Sequence, residues 1–285
     1  MDRRIVPVLV VAALGLAACG SDSDSDSTAA GDSLPPVADG YQHPTGADDV
    51  VIEYAEVGGF MPREFAFRQT PNVLISGDGR SFSPGAQIEI YPGPLLPAVQ
   101  VWSIAEDGIQ AALAAADEAG LFQEIDYEQP TNIVDASTAQ VTINVDGETY
   151  VHSAYALGIG GGLGAEATAS TPERQALADF IAELQEITSP GPTSDPDIFE
   201  PTEFGLEAVV VDDLSAYGSD GIEPTVVDWP ADVSVRLADA ATCTVVSAAE
   251  VGEVLMSANQ LTFFRDVNDS IYQVLVKPII PGARC

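Results

Sequence analysis

The chain has 285 residues, with 44 acidic residues against 10 basic ones, a formal net charge of −34 and an apolar content of 46%. This apolar content excludes a chain that is disordered throughout, and it suffices for one large core or two small ones. Nucleic acids are bound by clustered lysines and arginines, whereas the only lysine here is Lys277 and the arginines are scattered. Binding to DNA or RNA is therefore excluded.

The N-terminus predicts export. Arg3 and Arg4 precede an apolar stretch over residues 5–14. Because this stretch is shorter than the roughly 20 residues that span a bilayer, residues 1–18 are predicted to be a signal peptide. The segment Leu16-Ala17-Ala18-Cys19, followed by Gly20, resembles the lipobox of bacterial lipoproteins.

The lipobox resemblance implies that Cys19 is diacylated on sulfur, becomes the first residue after cleavage and is often acylated on its new amine. Two or more acyl chains anchor a protein firmly, so the lipid bilayer is an expected partner. The expected location is the outer face of the cytoplasmic membrane. The alternative is an ordinary cleaved signal peptide with a chance cysteine.

Residues 19–48 are predicted to be a disordered tether, because they alternate Ser with Asp and then continue with small residues and prolines. The alternation is not an EF-hand loop, since Ser27 and Ser33 stand where such a loop needs Gly and Glu. His43 lies in this tether and is not expected to be held in a catalytic geometry.

Cys243 and Cys285 are the two remaining cysteines. Outside the cytoplasm two such thiols usually form a disulfide, and closing this loop should stabilise the fold by about 4 kcal/mol. Two free thiols, or a pair of metal ligands, are the alternatives.

The segment 49–188 is predicted to be an α+β domain built from two units of a hairpin followed by a helix. In the first unit, residues 49–56 form a strand, and a hairpin turns at Asp78-Gly79 and pairs Ile75 with Phe82. A third strand is predicted over residues 87–91.

A helix follows the third strand. Ser103 and Glu106 have the spacing of a capping box, and Gly120 is predicted to end the helix.

In the second unit, residues 138–145 alternate, turn at Asp146-Gly147 and return over residues 148–157. A second helix is predicted to begin at Ser170 or Thr171. The two-residue turn pairs His152 with Val141 on the apolar face, where a packed, hydrogen-bonded histidine is expected rather than a base or metal ligand. No catalytic residue, cofactor or metal ligand is predicted.

Four prolines mark residues 189–201 as a linker, and residues 202–285 are predicted to be a small disulfide-bridged α+β lobe. The lobe contains a helix capped by Ser247 and a closing hairpin over residues 262–277. The alternative is that this part extends the first sheet. The predicted class is α+β, with a mostly antiparallel sheet and helices packed on one face.

Sequence signals for catalysis are weak. The glycine-rich run 158–165 is interpreted as a flexible loop, because no capped helix begins within it as a dinucleotide site requires. The many carboxylates allow acid–base chemistry in principle, but they single out no pair.

Several short motifs accompany the lipobox, and together they resemble a family of lipoproteins from high-GC Gram-positive bacteria. They are Gly77-Asp78-Gly79, Tyr91-Pro92-Gly93-Pro94, Ala119-Gly120-Leu121-Phe122, Asp135-Ala136-Ser137-Thr138 and the tail from Lys277 to Cys285. The family carries no assigned activity, so the resemblance transfers no functional residues. It supports the anchor and the pairing of Cys243 with Cys285.

The expected function is that of a non-catalytic binding or scaffolding module of the cell envelope, with an envelope protein or ligand as its partner. The residues expected to matter are Cys19 for attachment and Cys243 with Cys285 for bracing. One alternative is an extracytoplasmic hydrolase that uses carboxylates or a bound metal. The other is a small-ligand carrier, which is disfavoured because the chain lacks two βαβ-rich lobes.

Overall fold

The computed structural model describes residues 40–87, 89–158, 171–191, 196–218 and 221–285. The predicted signal peptide, Cys19 and the first part of the predicted tether lie outside the described residues, as does most of the glycine-rich run. Within the described residues, no helix has both the length and the apolar character that a membrane span requires.

The described chain from Gly40 to Cys285 is one compact unit. It contains two β-sheets and four α-helices among the described residues. The strands are β1 (Val50–Gly58), β2 (Val73–Ser76), β3 (Arg80–Pro84), β4 (Val99–Ser103), β5 (Ser137–Val145), β6 (Glu148–Tyr155), β7 (Asp197–Ile198), β8 (Glu203–Val210), β9 (Thr225–Asp228), β10 (Thr244–Ser247), β11 (Thr262–Arg265) and β12 (Ile271–Pro278). The helices are α1 (Arg63–Arg68), α2 (Glu106–Glu118), α3 (Pro172–Ile187) and α4 (Ala248–Met256).

The first sheet has the order β6-β5-β1-β2-β3-β4-β7, and its paired strands are antiparallel. Strand β1 lies near its middle, with β5 on one side and β2 on the other. Helices α2 and α3 pack their apolar residues with β1 and β5 in one core. The second sheet has the order β10-β8-β12-β11-β9 and buries a separate core with α4. The predicted α+β class with a mostly antiparallel sheet is confirmed.

Local signals fix several element ends. Thr171 caps α3 by accepting a hydrogen bond from Arg174 N, and Pro172 begins the helix. Gly120 follows α2 with a φ of +73°, and the backbone N–H groups of Gly120 and Leu121 donate to the carbonyls of Asp117 and Ala116. This is the glycine-terminated helix end that the sequence predicts.

The β5–β6 hairpin also follows its sequence signal. Asp146 and Gly147 both have positive φ, as a two-residue turn that matches the twist of its strands requires. The pairing runs from Val145 with Glu148 to Thr138 with Tyr155, and it includes the predicted pair of Val141 with His152.

The predicted register of the first hairpin is wrong by one residue. Leu74, not Ile75, pairs with Phe82, because the loop has three residues and Gly79 adopts a φ of +80°. The hydroxyl of Ser76 holds this loop by donating to the Asp78 carboxylate at 2.6 Å. A three-residue loop that ends in a left-handed glycine is a common alternative to the two-residue turn.

The strand predicted over residues 87–91 is also wrong, because none of the described residues of that segment pairs in the sheet. Besides β2, β3 pairs with β4, and the backbone N–H of Gly85 donates to the Ala98 carbonyl to close the loop between β3 and β4. Ser103 ends β4 and does not cap α2, which begins after Ala105 without a side-chain cap. The alternation and the capping spacing are local signals that the pairing of β3 with β4 overrides.

The predicted closing hairpin is present as β11 and β12, and Ser247 caps α4 by accepting from the backbone N–H of Ala249. Strand β9 pairs in parallel with β11. Within the predicted linker, β7 pairs with β4 of the first sheet. The division at residues 189–201 into a domain and a lobe stays a prediction.

Cys243 and Cys285 form a disulfide, with their Cα atoms 5.0 Å apart. The bridge lies directly against Gly205 of β8. A Cβ atom at that position would lie 3.0 Å from Sγ of Cys285 and 3.2 Å from Sγ of Cys243. An added Cβ would therefore fit only if the sulfur atoms gave way by a few tenths of an ångström, so glycine suits this close approach.

We expect Gly205→Ala to lower the free energy of unfolding by about 1–3 kcal/mol, because the added methyl group must displace two sulfur atoms that are held in the bridge. The matched control is Gly252→Ala in α4, where an added Cβ meets no atom within 4 Å. The control should leave stability unchanged or raise it by up to about 1 kcal/mol, because alanine favours helix. Urea unfolding measures both variants, and equal stability of the two would contradict this account of the bridge.

Candidate functional site

The most exposed aromatic side chain of the described residues lies in a loop at one end of the first sheet. Phe60 follows β1 and is 91% exposed, and Val134, in the segment before β5, is 80% exposed. Met61 is 39% exposed, and Phe65 in α1 is 54% exposed. Large apolar side chains that stay exposed together mark candidate binding surfaces. We call residues 58–62 and 134–136 the apolar loop pair.

The two segments of the apolar loop pair are bonded to each other. The backbone N–H of Phe60 donates to the Asp135 carbonyl at 3.2 Å. Gly58 and Gly59 both have positive φ, and a Cβ on Gly59 would lie 3.3 Å from the backbone nitrogen of Ser137. Asp135 itself adopts a φ of +59°. Left-handed glycines and a close backbone approach therefore set the course of this loop and expose Phe60.

A carboxylate braces the base of the apolar loop pair. Glu56 in β1 accepts hydrogen bonds from the hydroxyls of Tyr54 and Ser137, and its backbone N–H donates to Asn72 at 3.0 Å. Burial, and then the hydrogen bond to Glu56, raise the pKa of Tyr54, so its phenol stays a donor. The hydroxyls of Tyr54 and Ser137 both donate to the Glu56 carboxylate, and we therefore interpret this cluster as a structural brace.

His152 is buried and fully hydrogen-bonded, as the sequence predicts. Its Nε2 lies 2.8 Å from the Leu121 carbonyl, and its Nδ1 lies 3.0 Å from the Tyr127 hydroxyl. A carbonyl only accepts, so Nε2 carries the proton and Nδ1 accepts from Tyr127. Burial lowers the pKa of His152, although the bond to Leu121 acts in the opposite direction. Burial is also the main factor that raises the pKa of Tyr127 to about 12.

The structure holds the His43 side chain in place, although the sequence assigns this residue to the tether. Its Nδ1 lies 2.8 Å from the Pro44 carbonyl and its Nε2 lies 3.1 Å from Oε1 of Glu106. The neighbouring Tyr41 accounts for this order: its backbone N–H donates to Gln110 at 2.8 Å and its ring packs on Phe122. Tyr41 and His43, assigned to the tether, thus contact α2, and Ala47 in the same segment accepts a hydrogen bond from Arg80 of β3. The pKa of Glu106 is lowered, mainly by the hydrogen bond that its carboxylate accepts from Gln110 and further by His43.

A cleft of about 420 Å³ lies beside β4 and the end of α3. Trp102, Ile187 and Pro190 line it, and Asp197 is the one carboxylate among its described lining residues. Acid–base hydrolysis of the glycosidase kind needs two carboxyl groups facing one space. Among the residues that the structure covers, no three His, Cys, Asp or Glu side chains come together as a metal site.

Of the three site residues predicted from sequence, Cys243 and Cys285 are brought together, and Cys19 lies outside the described residues. Sequence reasoning missed the apolar loop pair. Its available signal is Gly58-Gly59 followed by Phe60, Met61 and a proline, which places apolar residues in a turn. Comparisons of the chain with protein-family models, with curated proteins and with solved structures give no match.

The lowered pKa of His152 predicts a pH dependence of stability. The unfolded chain takes up this proton near the ordinary pKa of about 6.5, whereas the folded chain takes it up only at lower pH. The contribution of neutral His152 to the free energy of unfolding is thus complete above about pH 6.5 and is lost as the pH falls below it. Between about pH 7 and pH 5, the free energy of unfolding should fall more steeply in the natural chain than in His152→Gln. Parallel curves in chemical denaturation would contradict the assignment.

Proposed function

We propose that the protein is a lipid-anchored module on the outer face of the cytoplasmic membrane, which binds an envelope partner without catalysing a reaction. Acyl chains on Cys19 attach it to the bilayer. The apolar loop pair is the surface offered to the partner. The Cys243–Cys285 bridge braces the second sheet in an oxidising compartment.

The proposed anchor is supported by the order of features at the N-terminus. Two arginines, a short apolar stretch and small residues precede Cys19, and the signal peptide alone is too short to span the bilayer. One acyl chain binds a membrane only marginally, so the proposal requires at least two on this cysteine.

The main support for the proposed binding role is the exposure of the apolar loop pair. Aromatic and methionine side chains are enriched in protein interfaces, and Phe60 and Met61 of this pair supply both kinds. The left-handed glycines and the bond from Phe60 to Asp135 hold the loop before any partner arrives. A surface that is already ordered loses less conformational entropy on binding. The described histidines, in contrast, have their ring nitrogens occupied by protein acceptors and donors.

Replacing the lipidated cysteine tests the anchor. We expect Cys19→Ala to release the protein from the membrane fraction, because no sulfur remains to accept the diacylglyceryl group. Ser21→Ala is the matched control and should leave the protein in the membrane fraction. Firm membrane association of Cys19→Ala after a salt wash would refute the proposed attachment.

Site-specific photo-crosslinking in the native envelope tests the binding surface. A photoreactive phenylalanine analogue at position 60 should give adducts of discrete mass, because this side chain is directed to the partner. The same group at Val267, which is 75% exposed in the turn between β11 and β12, is the control and should give none. Equal adduct yields at the two positions would contradict the assigned surface.

A further inference from the structure

Strand β6 is an edge of the first sheet, and its outer side has no strand partner among the described residues. It pairs with β5 over eight consecutive residue pairs without a bulge. An edge of this kind presents unpaired backbone N–H and C=O groups, which can bind another strand.

The turn fixes which backbone groups of β6 point outward. In a hairpin with a two-residue loop, the pair next to the loop, Val145 with Glu148, exchanges both hydrogen bonds, and alternate residues then point away from β5. The outward positions are therefore Thr149, Val151, Ser153 and Tyr155.

Arg174 independently supports this assignment. Its Nη2 donates to the Tyr155 carbonyl at 2.8 Å from outside the hairpin, so that carbonyl does point outward. The same guanidinium also bonds the carbonyls of Ala156 and Glu128. Arg174 thus closes one end of the edge. The open part of the edge consists of Thr149, Val151 and Ser153. All three are exposed, and in the described part of the chain their outward backbone groups have no backbone partner.

The edge lacks the features that usually block strand addition. Proteins protect edges with lysines, prolines, bulges or very short strands. Strand β6 has eight residues, contains neither lysine nor proline, and carries one charge, Glu148. What opposes pairing of two copies is the overall charge of −34, because like-charged molecules repel. The same charge attracts a basic segment.

We propose that β6 binds an extended, basic segment of a partner protein, which adds to the first sheet as an eighth strand. Backbone hydrogen bonds to Thr149, Val151 and Ser153 supply affinity, and long-range attraction to the acidic surface selects basic partners. The side chains of β6 favour a partner segment that places an apolar residue opposite Val151 and a lysine or arginine near Glu148. The binding residues of this site are not those of the apolar loop pair, and binding here does not depend on the lipid anchor.

Labelled peptides test the proposal by fluorescence anisotropy with the full chain. The probe is a short peptide of alternating lysine and valine. One control replaces lysine with glutamate, and a second keeps the lysines but N-methylates the backbone amides that would pair. We expect the probe to bind at least about tenfold more tightly than either control. Equal binding of the N-methylated peptide would overturn strand addition, since only attraction between charges would then remain.

A matched pair of variants places the site on β6. The N–H of Val151 points outward, so Val151→Pro removes no hydrogen bond to β5, whereas Val151→Thr keeps the outward N–H. The proline variant should bind the probe at least about tenfold more weakly, and the threonine variant should bind like the natural chain. Unchanged binding by a folded Val151→Pro would overturn the proposal. If Val151→Pro does not fold, the N-methylated peptide decides the question alone. A natural chain that is dimeric by light scattering, and monomeric as Val151→Pro, would assign the edge to a second copy instead.

Discussion

The pairing of β1 on both sides is the constraint on which the rest of the first sheet depends. Strand β1 pairs with β5 through seven residues and with β2 on its other edge. A shift of one residue would turn its buried side chains to the opposite face. This fixed register places Gly58 against Ser137, and the apolar loop pair begins there. At the turn of the β5–β6 hairpin, the backbone N–H of Asp146 donates to the Gln42 carbonyl.

The C-terminal tail links the two sheets within the compact unit. It leaves β12, and Ile280 packs against Leu74, Phe82 and Val99 of the first sheet. The backbone N–H of Gly282 then donates to the Asp48 carbonyl, and the chain ends at the disulfide. The bridge therefore stabilises more than the loop it closes, because it also holds a segment that completes the core of the other sheet.

Sequence predicts the elements whose signals are local. Asp146-Gly147 is enough to fix the β5–β6 pairing and the position of His152, and Gly120 is enough to end α2. The partner of β3 is decided by long-range pairing, so alternation in residues 87–91 misleads. The order of His43 is missed for a related reason, since contacts of Tyr41 and His43 with α2 hold a segment whose composition resembles a tether. The glycines and proline of residues 58–62 predict a turn, but they do not predict that Phe60 stays exposed, because exposure depends on tertiary structure.

The proposed attachment to a membrane is consistent with the acidic composition and the disulfide, since net charge keeps a protein soluble and disulfides persist outside the cytoplasm. That attachment depends on the chemistry of one sulfur atom, and intact mass spectrometry of the protein extracted from its native membrane examines it most directly. The account predicts a chain that begins at Cys19 and carries the added mass of a diacylglyceryl group. A mature chain that begins after Cys19, or one that begins there without acyl chains, would contradict it.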